Sequence, residues 1–140
     1  MRIRSAKFTG GRHVKMKYHK DMKIFIVGGG EIGRALAVQL ARDGYELTVI
    51  DREESVVDNI GNTVDVISYQ GNGASYVTLK ELSADEADIF VAVTESDELN
   101  ILSCLTAHML GAKHTIARVR DVDYAGQNRF YRDKLGLSMT

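Results

Sequence analysis

An α/β fold with a doubly wound parallel sheet in a single domain is what this sequence predicts, and three features predict it. Short apolar runs alternate along the chain with longer stretches of helical spacing. The runs are apolar throughout and do not alternate with polar residues, as expected of strands covered on both faces. Residues 23–51 join strand, glycine cluster, helix and strand into one βαβ unit.

Residues 23–27, Lys-Ile-Phe-Ile-Val, read as a buried strand, and Gly28-Gly-Gly-Glu-Ile-Gly33 follows. Residues 34–43 set Ala35, Leu36, Val38, Leu40 and Ala41 at helical spacing, and Gly44 punctuates that helix. A second strand, 46–50, ends in Asp51. Val56, Val57 and Ile60 make 52–62 a short surface helix closed by Gly61-Asn62. Residues 64–69 are β-branched and alternating, a third strand running into Gln70-Gly71-Asn72-Gly73. A short helix over 74–82 and an acidic connection over 83–88 precede the fourth strand, 89–93, which ends at Thr94. The long helix 95–110 is expected to turn Leu99, Leu102, Leu105, Ala107, Met109 and Leu110 inward, with Gly111 as its cap. A fifth strand over 114–119 and a helix over 121–135 complete the pattern.

The glycine cluster carries the functional signal. Gly28-x-Gly30-x-x-Gly33 between strand and helix, with Asp51 closing the next strand, is the dinucleotide-binding fingerprint. Gly28 permits a tight turn, Gly30 leaves room for a pyrophosphate, and Gly33 lets the helix pack close. The first-turn N–H groups of that helix have no intrahelical partner and attract an anion. Asp51 is placed to reach ribose hydroxyls and to repel a 2′-phosphate, which favours NAD over NADP, although Arg52 stands beside it. Glu31 disfavours a terminal phosphate and suits a bridged pyrophosphate better. The bland alternative is a half-fold that packs well and binds nothing.

Other residues fall at the carboxyl ends of strands, where ligands of such sheets sit. Asn72 offers an amide to an adenine edge, or forms a turn. Asp97 reads equally as a helix N-cap or a ligand contact, and Asn100 lies one turn further in. Arg34 is either a phosphate contact or a solvated surface charge. Of Arg118 and Arg120, alternating on one strand face, one can point into the crevice.

Composition narrows the class. Hydrophobic and charged fractions of 44% and 26% are ordinary for a globular protein, and a net charge of −1 gives no argument for nucleic acid. Charge is uneven: residues 1–22 carry about +6 and the remainder about −7. The basic segment 1–21 is set apart from the domain at 22–140. It reads as an upstream extension with natural translation starting near Met22, as a disordered basic arm, or as an extra strand. No run reaches the length of a membrane helix. The single cysteine, Cys104, excludes a disulfide framework, so a reduced, cytoplasmic setting is expected. The histidines form no metal spacing, and no nucleophile–base set is legible, so no catalytic or metal residue is assigned.

Residues 23–33, Asp51, Gly71-Asn-Gly-Ala74, Val91-Ala-Val-Thr-Glu-Ser-Asp-Glu-Leu-Asn100 and Ile116-Ala-Arg-Val-Arg120 together resemble the amino-terminal domain of Trk-type potassium-uptake regulatory proteins, also called RCK or KTN. The resemblance runs from about Met22 to the end. It implies a non-enzymatic regulatory subunit that binds NAD or NADH, or alternatively ATP, ADP or AMP. It implies homodimers and ring assemblies beneath a potassium-transporting membrane protein, at the inner face of the membrane. Carried over, it gives Gly28, Gly30, Glu31, Ile32 and Gly33 to phosphates and Asp51, beside Arg52, to ribose. Asn72, Thr94 and Arg118 border the adenine and dimer-facing sides. Asn72 departs from the family's usual aspartate, which puts nucleotide preference in question. The family usually continues into a further ligand-binding domain, so a fragment or single-domain form is expected. Two other readings remain: the cofactor domain of an NAD-dependent oxidoreductase, and a redox-sensing module acting on a soluble partner.

Overall fold

The computed structural model describes residues 21–140, together with the backbone of two short strands, β1 (Lys7–Thr9) and β2 (Arg12–Val14). These two pair antiparallel in a sheet of their own. The rest of residues 1–20, and with it the three readings of the basic segment, lies outside the described residues.

The main sheet follows from the apolar runs. Strands β3 (Lys23–Val27), β4 (Glu46–Asp51), β5 (Ile67–Gln70), β6 (Ile89–Ala92), β7 (His114–Ala117) and β8 (Ser138–Met139) line up in the order β5-β4-β3-β6-β7-β8. Every neighbouring pair is parallel. The order reverses at β3, between β4 and β6, which is where a doubly wound sheet opens a crevice beyond its strand ends. This is a Rossmann-type sheet, as the sequence predicts.

Because residues along a strand face alternate sides, β3 feeds two cores. Ile24 and Ile26 pack with Ala37, Leu47, Val49 and Ile60 under helices α1 (Glu31–Arg42) and α2 (Glu54–Thr63). Phe25 and Val27 pack with Leu79, Phe90, Cys104, Ala107 and Leu137 under α3 (Tyr76–Glu81), α4 (Asp97–Leu110), α5 (Val122–Ala125) and α6 (Asn128–Leu135). The Phe25 and Phe90 rings stack at 6.1 Å.

The structure corrects several boundaries. Helix α1 begins at Glu31, inside the glycine motif, because Arg34 N–H already bonds to Gly30 O at 2.8 Å. Helix α2 runs through Gly61 and Asn62 to Thr63, which shortens the third strand of the main sheet to Ile67–Gln70. The acidic connection holds a 3-10 turn at Ala84–Glu86. The final helix is two, α5 and α6, and a sixth parallel strand, β8, follows Gly136. Gly136 takes φ +68°, a left-handed conformation that reverses the chain after α6.

The face assignment of α4 also changes. Leu102 and Met109, expected inward, are 51% and 78% exposed. The buried positions are Asn100, Ser103, Cys104 and Ala107, spaced at i, i+3, i+4 and i+7. Leu102 and Met109 lie two residues beyond Asn100 and Ala107, about 200° around the helix. Small and polar side chains bring α4 close to the sheet, Leu105 and Leu110 pack partly buried at its flank as expected, and Leu102 and Met109 stay outside.

Candidate functional site

The three fingerprint glycines are required for different reasons. Gly28 has φ +103°, and a Cβ there would stand 3.0 Å from Thr94 N. A Cβ on Gly33 would sit 1.7 Å from Gly28 O, an overlap no rotamer relieves. Gly30 differs: its φ of −69° suits any residue, and a Cβ there meets nothing within 4 Å. The protein itself does not need glycine at 30. The space over it does.

That space is a crevice of about 540 Å³ lined by Gly28, Gly30, Glu31, Ile32, Asp51, Thr94 and Arg118 of the predicted set, and also by Glu53, Val56, Val93, Glu95 and Arg120. Its volume is in the range of small-molecule and cofactor sites. A smaller hollow of about 170 Å³ adjoins it, where Arg52 stands with Asp51, Gly71, Gly73, Thr94 and Leu99. Gly33 lines neither, since it packs beneath the Gly28 turn. Asn72 also lines neither; its Oδ1 accepts the Ala74 N–H at 3.0 Å, the turn-forming role of the two weighed for it.

Asp51 is fixed by backbone donors. Its Oδ2 accepts Gly29 N–H at 2.7 Å and its Oδ1 accepts Glu53 N–H at 2.9 Å. The carboxylate thus pins the glycine loop while keeping lone pairs toward the crevice. Arg34 turns away from it, donating from Nε to Asn59 Oδ1 at 3.0 Å, so it ties α1 to α2. Around the crevice Glu31, Asp51, Glu53 and Glu95 face Arg118 and Arg120. Glu31, Asp51 and Glu53 lie on the glycine-loop side, whereas Glu95 follows β6 and its carbonyl accepts from the Arg120 guanidinium at 2.8 Å, so the β6–β7 side carries both signs.

The β6–β7 side is held by α4. Ser96 caps that helix, its Oγ accepting Leu99 N–H at 3.1 Å. Asp97, read from the sequence as cap or ligand contact, has a third role. Its carboxylate accepts Arg120 N–H at 3.1 Å and Asp121 N–H at 2.7 Å. Those backbone donors, helped by the Arg120 and Arg118 charges, hold its pKa below the ordinary carboxylate value. Asn100 is fully buried and bonds to Thr94 and to the Arg118 carbonyl. Ser103 donates to Gly73 O at 2.6 Å, fixing the loop behind β5. One helix face thus reaches three of the strand-end loops. Sequence spacing places Asp97, Asn100 and Ser103 on one face at i, i+3 and i+6, the signal by which their shared role could have been found.

Cys104 is buried, and desolvation pushes its thiol up to about 12, so it is not a thiolate at neutral pH. Among the described residues no three His, Cys, Asp or Glu side chains cluster as metal ligands, and no helix is long and apolar enough to cross a membrane. The arrangement can bind an anion-bearing nucleotide through backbone N–H groups, a carboxylate and two guanidiniums.

The TrkA-N domain profile matches residues 24–137. A Trk system potassium uptake protein TrkA homolog of Methanothermobacter thermautotrophicus is 39% identical over 103 residues, which is 74% of this chain and 48% of that protein. The Trk system potassium uptake protein TrkA of Halomonas elongata is 36% identical over 104 residues, 74% of this chain and 23% of its own length. The chain therefore spans half or less of these relatives. Among solved structures, the TrkA-N domain of inner membrane protein ybaL from Escherichia coli superposes with a TM-score of 0.70 at 19% identity, covering 84% of each chain. The GsuK channel bound to NAD gives 0.71 at 20% identity over 89% of this chain and 22% of that one. A UDP-N-acetylglucosamine 3-dehydrogenase, GnnA from Acidithiobacillus ferrooxidans, gives 0.61 at 17% over 89% and 38%. These likenesses are of fold.

Proposed function

The chain belongs to the TrkA-N domain family, and from that premise we propose that it is a nucleotide-binding regulatory domain of a potassium-uptake system. It holds NAD or NADH and reports the bound form to a potassium-transporting membrane protein at the inner face of the membrane. The observation that carries this reading is Gly30: its missing side chain opens onto a crevice and serves no internal packing need.

The pyrophosphate lies over Gly30 against the unpaired first-turn N–H groups of α1. Asp51 accepts the adenosine ribose hydroxyls, and the adenine lies toward the hollow beside Arg52. The second half of the dinucleotide extends toward Thr94 and Arg118. Glu31 and Asp51 count against a triphosphate and a 2′-phosphate, and ADP, ATP or AMP stand as the alternative ligands.

Regulation here is a population shift. Two ligands that differ in affinity for two arrangements of an assembly move its equilibrium by that difference and no more, with no bond made or broken. A homo-oligomer supplies the arrangements. The exposed apolar Leu102 and Met109 on the outer face of α4 offer a second copy its contact.

Titration of the purified chain with NAD, NADH, ADP and ATP tests the reading. Micromolar-range binding of a dinucleotide is expected, and no binding of any of the four overturns it. The second reading, the cofactor domain of an oxidoreductase, draws on the likeness to the dehydrogenase fold. Sustained reduction of NAD across a panel of hydroxy acids and aldehydes would decide in its favour.

A further inference from the structure

We infer that Asn100 is the positioning residue for the second half of the dinucleotide, acting through Thr94 and Arg118 rather than by touching the ligand. This rests on the nucleotide-binding reading above.

Asn100 is 0% exposed and lines neither hollow, so its hydrogen-bonding groups are spent entirely on its neighbours' geometry. Its Oδ1 accepts Thr94 N–H at 2.9 Å and Thr94 Oγ1–H at 2.6 Å. Its Nδ2 donates to Thr94 O at 3.0 Å and to Arg118 O at 2.8 Å. The amide orientation is unambiguous, because Thr94 N–H can only donate and the two carbonyls can only accept. Both donors and both acceptor positions are used, which a smaller or apolar side chain cannot reproduce.

What those bonds hold is the mouth of the sheet. Thr94 follows β6 and Arg118 follows β7, and the amide bridges the two strand ends just where their parallel ladder stops. Arg118 N–H itself bonds to Ala92 O at 2.9 Å, so the bridge continues the ladder by one side-chain rung. The Thr94 peptide also bears on the turn of the fingerprint, since a Cβ on Gly28 would stand 3.0 Å from Thr94 N. Both Thr94 and Arg118 face the crevice; Arg118 lines the crevice only, while Thr94 also borders the adjoining hollow, and Asp51, pinned by Gly29 and Glu53 N–H groups, shares no hydrogen bond with Asn100. Removing the amide therefore loosens the Thr94–Arg118 side most and reaches the adenosine side only through Thr94.

The test compares NAD with AMP by isothermal titration of the full chain and its Asn100→Ala variant, with folding checked by circular dichroism. NAD affinity is expected to fall roughly tenfold or more, as loss of several hydrogen bonds to two contact residues implies, while AMP, which meets Thr94 but not Arg118, loses clearly less, about threefold at most. A merely structural residue would weaken both alike. A folded variant with unchanged NAD affinity, or with equal losses for both ligands, overturns the inference. If Asn100→Ala fails to fold, the wild-type side-chain amide of Asn100 is followed by 15N-correlated NMR. It is expected to shift more with NAD than with AMP, and an amide that ignores NAD, or that shifts equally with both, overturns the inference. A wild-type chain that binds neither ligand sinks the nucleotide reading together with this one; binding of both with a negative Asn100 result sinks this one alone.

Discussion

The two sides of the crevice are built from different material. On the β3–β4 side the floor is set by backbone, a glycine turn and the start of α1, with Asp51 pinned by Gly29 and Glu53 N–H groups and with Glu31, Ile32, Glu53 and Val56 around it. On the β6–β7 side the strand ends are held by buried polar side chains from one helix, Asp97 and Asn100, while Ser103 of the same face reaches across to the loop after β5. The first side gets its shape from residues that lack side chains. The second gets it from side chains that line neither hollow. Damage should therefore differ: substitutions on the first side block or collapse the pocket, and those on the second misalign it.

The largest expected effect is at Gly33. A valine there would collide with Gly28 O, and Gly33→Val should lose about 2–3 kcal/mol or more of stability in urea unfolding. A variant as stable as the wild type would remove the packing argument for the first side. Next, Asp51→Ala removes both the ribose acceptor and the pin on the glycine loop. Dinucleotide affinity should drop roughly 10- to 100-fold by titration, with a smaller loss of stability of about 1 kcal/mol.

On the second side, Asp97 provides a pH test. Its folded pKa is lowered by the Arg120 and Asp121 N–H groups, so its stabilisation is complete above the ordinary carboxylate value and is lost as pH falls through the folded value. Asp97→Asn should be less stable than the wild type at pH 7, with the gap closing as thermal melts are repeated below about pH 4. A gap independent of pH would mean that the lost contact is not the charged one. The smallest effect belongs to Ser103→Ala, which leaves Gly73 O unbonded and should cost about 1 kcal/mol, with a modest loss of AMP and NAD affinity alike.

The same contrast explains what could be read from the chain. Gly28 and Gly33 announce their role because close packing restricts the residue type there, Gly30 and Asp51 by their spacing from them, and five of the six parallel strands announce themselves, four as apolar runs and 64–69 as an alternating β-branched stretch. Strand β8 did not, being two residues long after the left-handed Gly136 and paired only through tertiary context. The inner face of α4 was misread for a related reason. A hydrophobic pattern points Leu102 and Met109 inward, whereas close approach to the sheet selects the smaller Ser103, Cys104 and Ala107 with a fully bonded Asn100. Asp97 and Ser96 sit side by side, and only geometry tells which of them caps the helix.

The most direct measurement is a paired titration of wild type and Gly30→Val with NAD, each accompanied by an unfolding curve. Gly30 has an ordinary φ and open space around it. The account predicts a variant about as stable as the wild type that has lost NAD binding by roughly a hundredfold or more, because the added side chain fills the pyrophosphate position. A stable variant that binds NAD as the wild type does would contradict it.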